Sequence, residues 1–238
     1  MMKRELAEEI EQQYFDSVDI TTPEENEGTK DMAPLLPFII SGGTNTEYYY
    51  FKHISKTTKY KFQIIPEYFG NESNHTNFFP YKIRNVLDNN VGAKVFCVFD
   101  LDTICGNASR IKKHQDFEKQ FETEITSGCV VLCPSMPCIE YWFLLHFEND
   151  TTLYKTYSKV SNKLPQEFKS YFPNPKIRLK KLLKHARYLE DSIWVENLCS
   201  NGKLELAIER AKNNIETALK NNNLEGQSYS FVYKLFRQ

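Results

Sequence analysis

The sequence lacks the features of a membrane or secreted protein. None of its 238 residues lies in a run approaching the ~20 consecutive apolar residues that a membrane-spanning helix needs. The N-terminal segment MMKRELAEEIEQQYFD is too acidic and too poor in apolar residues for a signal peptide. We therefore expect a cytoplasmic protein that has no membrane segment.

Several catalytic and metal-binding patterns are also missing. The six cysteines form no C-x-x-C pair, and without a secretion signal they indicate reduced thiols. Cys129, Cys133 and Cys138 lie near one another in sequence, which leaves a structural zinc as an alternative to buried thiols. There is no phosphate-binding loop with its lysine and no nucleophile elbow. These absences disfavour a P-loop nucleotide hydrolase and a serine hydrolase.

Charge is unevenly distributed along the chain. Residues 1–34 carry 3 basic and 10 acidic side chains, for a net charge of −7. Residues 35–150 carry 11 and 13, net −2, and residues 151–238 carry 16 and 8, net +8. A basic surface attracts polyanions such as nucleic acid, although a solvated helical surface explains the same lysines. The composition predicts an acidic mobile N-terminal arm (1–34) and a basic C-terminal region (151–238).

Between these parts, apolar strand-like segments alternate with helical patterns. Strands are predicted at 35–41, 59–69, 93–100 and 129–135, and helices at 44–56, 76–90, 108–127 and 138–147. This alternation is typical of an α/β domain, here residues 35–150, with a mostly parallel sheet flanked by helices. In such sheets ligands bind at the carboxyl ends of the strands.

The C-terminal region is predicted to be a helical extension without a further strand. Its helices are expected at 153–163, 165–171, 176–189, 202–222 and 227–236. In the third of these, four basic residues share one helical face, and a fifth, Lys181, lies beside them. The other four are Lys176, Lys180, Lys184 and Arg187. We predict that these five side chains bind the phosphate backbone of a nucleic acid.

The strongest candidate for chemistry is the pair Asp100 and Asp102, which follows the apolar strand VFCVF. Carboxylates two residues apart point the same way on an extended chain, where they repel each other unless a cation lies between them. Mg²⁺ or Mn²⁺ prefers such oxygen ligands and can promote phosphodiester hydrolysis. A solvated loop at the end of a strand, with Asp102 capping a short turn, is the alternative.

Three motifs in this order resemble the RloB-like family. They read SGGTNTEYYYF at 41–51, VFCVFDLD at 95–102 and SMPCIEYWFLLHFE at 135–148. The family's motifs are similar to C-E-G-x-x-T-E with a following aromatic residue, F-D-x-D, and N-P-C-F-E-x-W-x-L-L-H-F. The third is the most specific, with Trp142, Leu144, Leu145, His146 and Phe147 in place. The similarity spans roughly residues 36–148, and the helical tail also fits the family.

The resemblance implies a fold and a function. RloB-like proteins belong to the Toprim superfamily, shared with topoisomerases, primases and OLD-type nucleases. A Toprim-like, Rossmann-like fold is therefore expected, with a Mg²⁺- or Mn²⁺-dependent nuclease activity on DNA, RNA or tRNA in antiphage defence. RloB-like proteins are often encoded beside an ATPase, so an ATPase partner is also implied, and self-association stays open.

One position departs from the family pattern. The acidic residue that Toprim enzymes carry after the first strand falls on Gly42, whereas the family's glycine falls on Gly43 and its second Glu on Glu47. The resemblance then implies a catalytic set of Asp100 and Asp102, the metal ligands, with Glu47 and Glu140 as substitutes for the missing acid. A degenerate site that binds nucleic acid or a nucleotide without cutting is the alternative.

Two further predictions concern binding. The backbone N–H groups at Gly42 and Gly43 can approach a phosphate, or the two glycines simply permit a tight turn with positive φ. The acidic arm is predicted to fold over the basic C-terminal region and compete with nucleic acid, or to bind a partner protein.

Overall fold

A central sheet of four parallel strands and one short antiparallel strand organises the protein. The computed structural model describes residues 35–43, 45–65 and 75–237, and of 75–78 only the backbone. The strands are β1 (Phe38–Ser41), β2 (Gln63–Ile65), β3 (Val95–Asp100), β4 (Val130–Met136) and β5 (Tyr229–Ser230). Their order is β2-β1-β3-β4-β5, with β5 antiparallel to β4. The predicted α/β fold with a mostly parallel sheet is confirmed, and it is Rossmann-like.

Helices cover both faces of this sheet. They are α1 (Thr46–Thr57), α2 (His75–Asn89), α3 (Ala108–Gln120), α4 (Glu122–Thr126), α5 (Ile139–Leu145), α6 (Tyr157–Lys163), α7 (Gln166–Ser170), α8 (Leu179–Lys184), α9 (Ile193–Cys199) and α10 (Lys203–Lys220). Short 3₁₀ segments lie at Leu101–Thr103, Ala186–Tyr188, Leu224–Gly226 and Phe231–Phe236. In the described part of the chain, no helix is long and apolar enough to cross a membrane.

Side chains on the two faces of β3 pack into two separate hydrophobic cores, because successive side chains along a strand point to opposite faces. Phe96 and Val98 point into a large core that includes buried residues of α1, α5, α9 and α10. Val95, Cys97 and Phe99 point into a smaller core with α2 and α3. Because both faces are covered, β3 is apolar throughout until it reaches Asp100.

The strand order places the carboxyl ends of β1, β3 and β4 side by side. β2 lies beside β1 on one edge, and the chain then returns to form β3 on the other edge of β1. The strand order therefore reverses between β1 and β3. Ser41 pairs with Val98, and Asp100 pairs with Ser135. The turn after β1, Asp100 and the start of α5 therefore meet at the position where open α/β sheets bind ligands.

The C-terminal region completes this fold and is part of the same compact unit, Leu35–Gln238. The Trp142 ring of α5 stacks on Phe236 at 5.6 Å between centroids, and the Trp142 indole N–H donates to the Tyr50 hydroxyl at 2.7 Å. The prediction of no further strand was wrong, because β5 joins the sheet. A strand of two residues is too short to produce an alternating pattern.

Several predicted helices differ from the observed ones. The helix expected at 108–127 is divided at the buried Phe121, and the one expected at 153–163 begins only at Tyr157. The helix expected at 176–189 is confined to α8, because His185 is extended. The segment 227–236 forms β5 and a 3₁₀ turn, and α9 was not predicted. The predicted acidic arm, residues 1–34, lies outside the described residues.

Candidate functional site

Asp100 is held at the end of β3 by the helix that follows β4. Its Oδ1 accepts a hydrogen bond of 2.8 Å from the backbone N–H of Ile139, the first residue of α5. This N–H is one of those that a helix leaves without an internal partner at its start. The backbone N–H of Asp102 donates to the Pro137 carbonyl at 2.9 Å, so a second bond fixes the same junction.

Asp102 is positioned differently from the expected extended geometry. The strand ends at Asp100, and Leu101–Thr103 forms a 3₁₀ turn, so the two carboxylates are not carried by one extended segment. Asp102 Oδ2 instead accepts a hydrogen bond of 3.3 Å from the backbone N–H of Tyr157, at the start of α6. Asp100 thus contacts α5 of the α/β part, and Asp102 contacts α6 of the C-terminal region.

Glu47 enters the site from the first turn of α1 and is buried, with 5% of its surface exposed. Its carboxylate lies so close to Gly43 that a Cβ atom at that position would overlap it. Neither Gly42 nor Gly43 has positive φ, so the predicted tight turn with positive φ is absent at these two glycines. The Gly42 N–H donates to the Val98 carbonyl at 2.8 Å and is therefore not free to bind a phosphate.

Glu140 is the second residue of α5 and is almost fully buried, with 1% of its surface exposed. Its Oε1 atom is buried and has no hydrogen-bond partner. Burying a carboxylate oxygen without a partner is costly, so such an atom in a folded protein requires an explanation. A bound ion, a water molecule or a ligand at this position supplies one.

The four acids form one electrostatic cluster. The pKa of Asp100 is raised well above its ordinary value by burial first and then by Glu47, Glu140 and Asp102. Burial likewise raises the pKa of Glu47, Asp102 and Glu140. Like charges that share a buried site favour the protonated forms, and nearby cations favour the ionised ones.

Among the described residues, Lys184 is the cation whose charge acts on all four acids, which the sequence did not predict. Burial lowers its pKa, but Glu47, Glu140 and Asp100 outweigh that effect and raise it. In return, Lys184 lowers the pKa of each of these acids. The sequence grouped Lys184 with a basic helical face. In the structure it is the exposed last residue of α8, and its carbonyl accepts a hydrogen bond from Asn45, two residues before Glu47.

The other predicted nucleic-acid-binding residues do not share one helical face. Lys176 precedes α8, Lys180 and Lys181 lie within it, and Arg187 lies in the 3₁₀ turn beyond the extended His185. All four are exposed. The expected stripe was wrong because the helix ends at Lys184, but these side chains remain on the chain segment that reaches the acidic cluster.

The cluster suits a divalent cation in its chemistry but not yet in its geometry. Carboxylate oxygens are the ligands that Mg²⁺ and Mn²⁺ prefer. Glu140 Oε1, which has no hydrogen-bond partner, is available as such a ligand. However, no three His, Cys, Asp or Glu side chains of the described residues are arranged as metal ligands. Asp100, Asp102, Glu47 and Glu140 would therefore have to rotate towards the ion to hold it.

Open grooves also lie elsewhere on the surface of the described residues, and two of them are well defined. One, of about 340 Å³, is lined by Tyr48, Lys52, Ser55, Lys56, Phe62 and Ile64. The other, of about 410 Å³, is lined by Lys94, Phe96, Val131, Tyr233, Lys234 and Arg237. Neither groove is lined by a carboxylate, so the acidic cluster, with its buried unpartnered oxygen, is the better candidate for catalysis.

Comparison with known proteins supports one assignment. The family model described as RloB-like protein matches residues 38–238, which is most of the chain. No significant match was found among curated proteins or among solved structures. The match extends beyond the three motifs and covers the C-terminal region that brings Tyr157 and Lys184 to the acidic cluster. The chain belongs to the RloB-like family.

Proposed function

We propose that the protein is a cytoplasmic Toprim-type nuclease that uses Mg²⁺ or Mn²⁺ to hydrolyse phosphodiester bonds in nucleic acid. The observation that carries this proposal is the cluster in which the buried Glu47 and Glu140 meet the partly buried Asp100 and Asp102. Mutual repulsion makes such a cluster unfavourable for stability alone, and clustered groups with perturbed pKa values are typical of functional sites.

Each acid has a role in this proposal. Asp100 and Asp102 would hold the metal, with Glu47 and Glu140 completing the set. The metal, when bound, would neutralise charge on the phosphate and help to ionise a water molecule. Glu140, whose Oε1 is unpartnered, would accept a proton from that water as the water oxygen bonds to phosphorus; the P–O bond to the leaving oxygen would break, and the leaving oxygen would take a proton from solvent. A raised carboxyl pKa suits a group that exchanges protons near neutral pH.

Nucleic acid would be bound through its backbone. The segment that contains Lys184 also carries four exposed basic residues, Lys176, Lys180, Lys181 and Arg187. Lysine and arginine bind phosphates without reading sequence. The family resemblance supports a role in antiphage defence, with an ATPase as partner and self-association as further parts of the proposal. DNA, RNA and tRNA are all candidate substrates.

A cleavage screen tests this function. Labelled DNA, RNA and tRNA would be incubated with the protein and Mg²⁺, Mn²⁺ or Ca²⁺, with chelated samples as blanks. We expect cleavage that requires metal and falls at least 100-fold in Asp100→Asn and Asp102→Asn. Asp88→Asn, at an exposed residue of α2, is the matched control and should cleave like the wild type. Cleavage by Asp100→Asn and Asp102→Asn at the wild-type rate would contradict the proposal.

The alternative is a binding or sensor subunit that does not cut. Two observations favour it: Gly42 stands where Toprim enzymes carry an acid, and the carboxylates are not arranged as a ligand set in the described residues. This function predicts binding to nucleic acid or a nucleotide that weakens with salt, and no cleavage with any of the metals. The same screen, with a binding measurement added, separates the two functions.

A further inference from the structure

The groove of about 410 Å³ lies at the start of β3 and β4, at the opposite end of these strands from the acidic cluster. Lys94 precedes β3, and Phe96 within β3 pairs with Val131 of β4. Because side chains two residues apart on an extended chain share a face, Lys94 and Phe96 lie on one wall of the groove. Asp100 ends β3 six residues after Lys94, roughly 20 Å away along the strand. The groove is therefore separate from the acidic site.

The C-terminal 3₁₀ segment Phe231–Phe236 contributes the other wall. Lys234 and the following Arg237 line the groove together with Tyr233, which is buried. Residues three apart lie on the same side of a 3₁₀ helix, and the backbone N–H of Arg237 donates to the Lys234 carbonyl at 3.4 Å. This spacing brings both cations to the groove that Lys94 lines from the sheet.

Each of the three cations lies over an aromatic ring. The distances from the charged group to the ring centroid are 5.4 Å for Lys94 and Phe96, 4.5 Å for Lys234 and Phe231, and 5.9 Å for Arg237 and Tyr233. None of the three cations forms an ion pair with a carboxylate among the described residues. Cation–π contacts position a cation without neutralising it, so the groove attracts anions.

We propose that this groove binds the phosphate backbone of a nucleic-acid strand at a second site, apart from the acidic cluster. Its described lining contains no amide or carboxylate that could read a base edge, whereas lysine and arginine bind phosphates of any sequence. A free nucleotide is typically enclosed by its pocket, but an open groove lets a continuous strand enter and leave. The inference goes beyond the proposed function, because this site needs neither a metal nor the acids.

The test removes the three charges together in Lys94→Gln/Lys234→Gln/Arg237→Gln. Binding of a fluorescent thymidine oligonucleotide would be measured in EDTA over a range of KCl concentrations. We expect the variant to bind at least about tenfold more weakly than the wild type at about 0.1 M KCl. The plot of log affinity against log salt should be less steep by about 2, as the loss of three phosphate contacts to a single strand predicts.

Two control variants accompany this measurement. Lys94→Arg/Lys234→Arg/Arg237→Lys keeps the three charges and should bind the oligonucleotide like the wild type. The second control makes the same change in net charge on α3 and should keep the wild-type salt dependence. It replaces with glutamine three exposed lysines, Lys112, Lys113 and Lys119.

Four results would overturn the inference. An unchanged salt dependence in the glutamine variant would show that the groove binds no phosphates, and an equal loss in the α3 control would indicate net charge alone. Equally weak binding by the charge-keeping variant would make the three residues structural. Displacement of the oligonucleotide by micromolar ATP would indicate a nucleotide site. Because all binding is measured without metal, a protein that never cleaves would refute the nuclease and leave this test valid.

Discussion

Replacing Asp100 with asparagine should stabilise the metal-free protein, although it removes a proposed metal ligand. The structure places the carboxylate among Glu47, Glu140 and Asp102, whose charges raise its pKa together with burial. Asparagine is neutral and keeps an oxygen that can accept the Ile139 N–H, now bonded at 2.8 Å. The variant therefore loses the repulsion and retains the hydrogen bond.

The magnitude follows from typical couplings between neighbouring charged residues. Such couplings are about 0.5–3 kcal/mol, so we expect Asp100→Asn to raise the free energy of unfolding by about 1 kcal/mol. For a protein of this size, that corresponds to about 2–4 °C in unfolding temperature. Asp100→Ala should be less stable than Asp100→Asn by about 1–3 kcal/mol, because it leaves the Ile139 N–H without an acceptor.

Urea denaturation at pH 7.5 in a chelator is the appropriate assay. A raised folded pKa means that Asp100 is ionised more readily in the unfolded chain, so it destabilises the fold increasingly as pH rises from about 4 through its folded pKa. The difference between wild type and Asp100→Asn should accordingly shrink at pH 4. Asp88→Asn, the exposed control, should change stability by no more than about 0.5 kcal/mol. An Asp100→Asn variant no more stable than the wild type at pH 7.5 would refute this reasoning.

Three further predictions concern the same region. Burial raises the Glu140 pKa, so metal-free wild type should lose more stability than Glu140→Gln as pH rises from about 4.5 to 8. Denaturation curves that show the same pH dependence for both proteins would contradict this. Thr46→Val should cost about 1–2 kcal/mol by removing the hydroxyl bonded to Leu183, whereas Thr46→Ser should not; equal unfolding curves for the two variants would refute that bond's contribution. Tyr50→Phe should cost about 1–3 kcal/mol, because it leaves the buried Trp142 N–H unpaired, and calorimetry showing an unchanged unfolding temperature would disprove it.

The parts of the fold that the sequence predicted well are those with strong local patterns. The run Val95–Asp100 is apolar on both faces and ends abruptly in acid, which predicts a central parallel strand whose end lies at the ligand-binding edge. The third motif identified the buried helix α5, and the order of the motifs identified the family. These features depend on residues that are close in sequence.

Contacts between distant residues account for what the sequence did not show. Asn45 and Thr46, just before Glu47, bind the carbonyls at the end of α8, 139 and 137 residues away, and Lys184 there acts electrostatically on the acidic cluster. Tyr157 is brought there by its backbone bond to Asp102, 55 residues away. Helical periodicity in the sequence does not show that α8 ends at Lys184, where these tertiary hydrogen bonds are made.

The most direct test of the acidic site is a titration with Mn²⁺ followed by electron paramagnetic resonance, without nucleic acid. If Glu47, Asp100, Asp102 and Glu140 form one cation site, the wild type should bind Mn²⁺, Mg²⁺ should compete, and Asp100→Asn should bind at least tenfold more weakly. Asp88→Asn should bind like the wild type. No Mn²⁺ binding by the wild type, or equal binding by Asp100→Asn, would contradict the account.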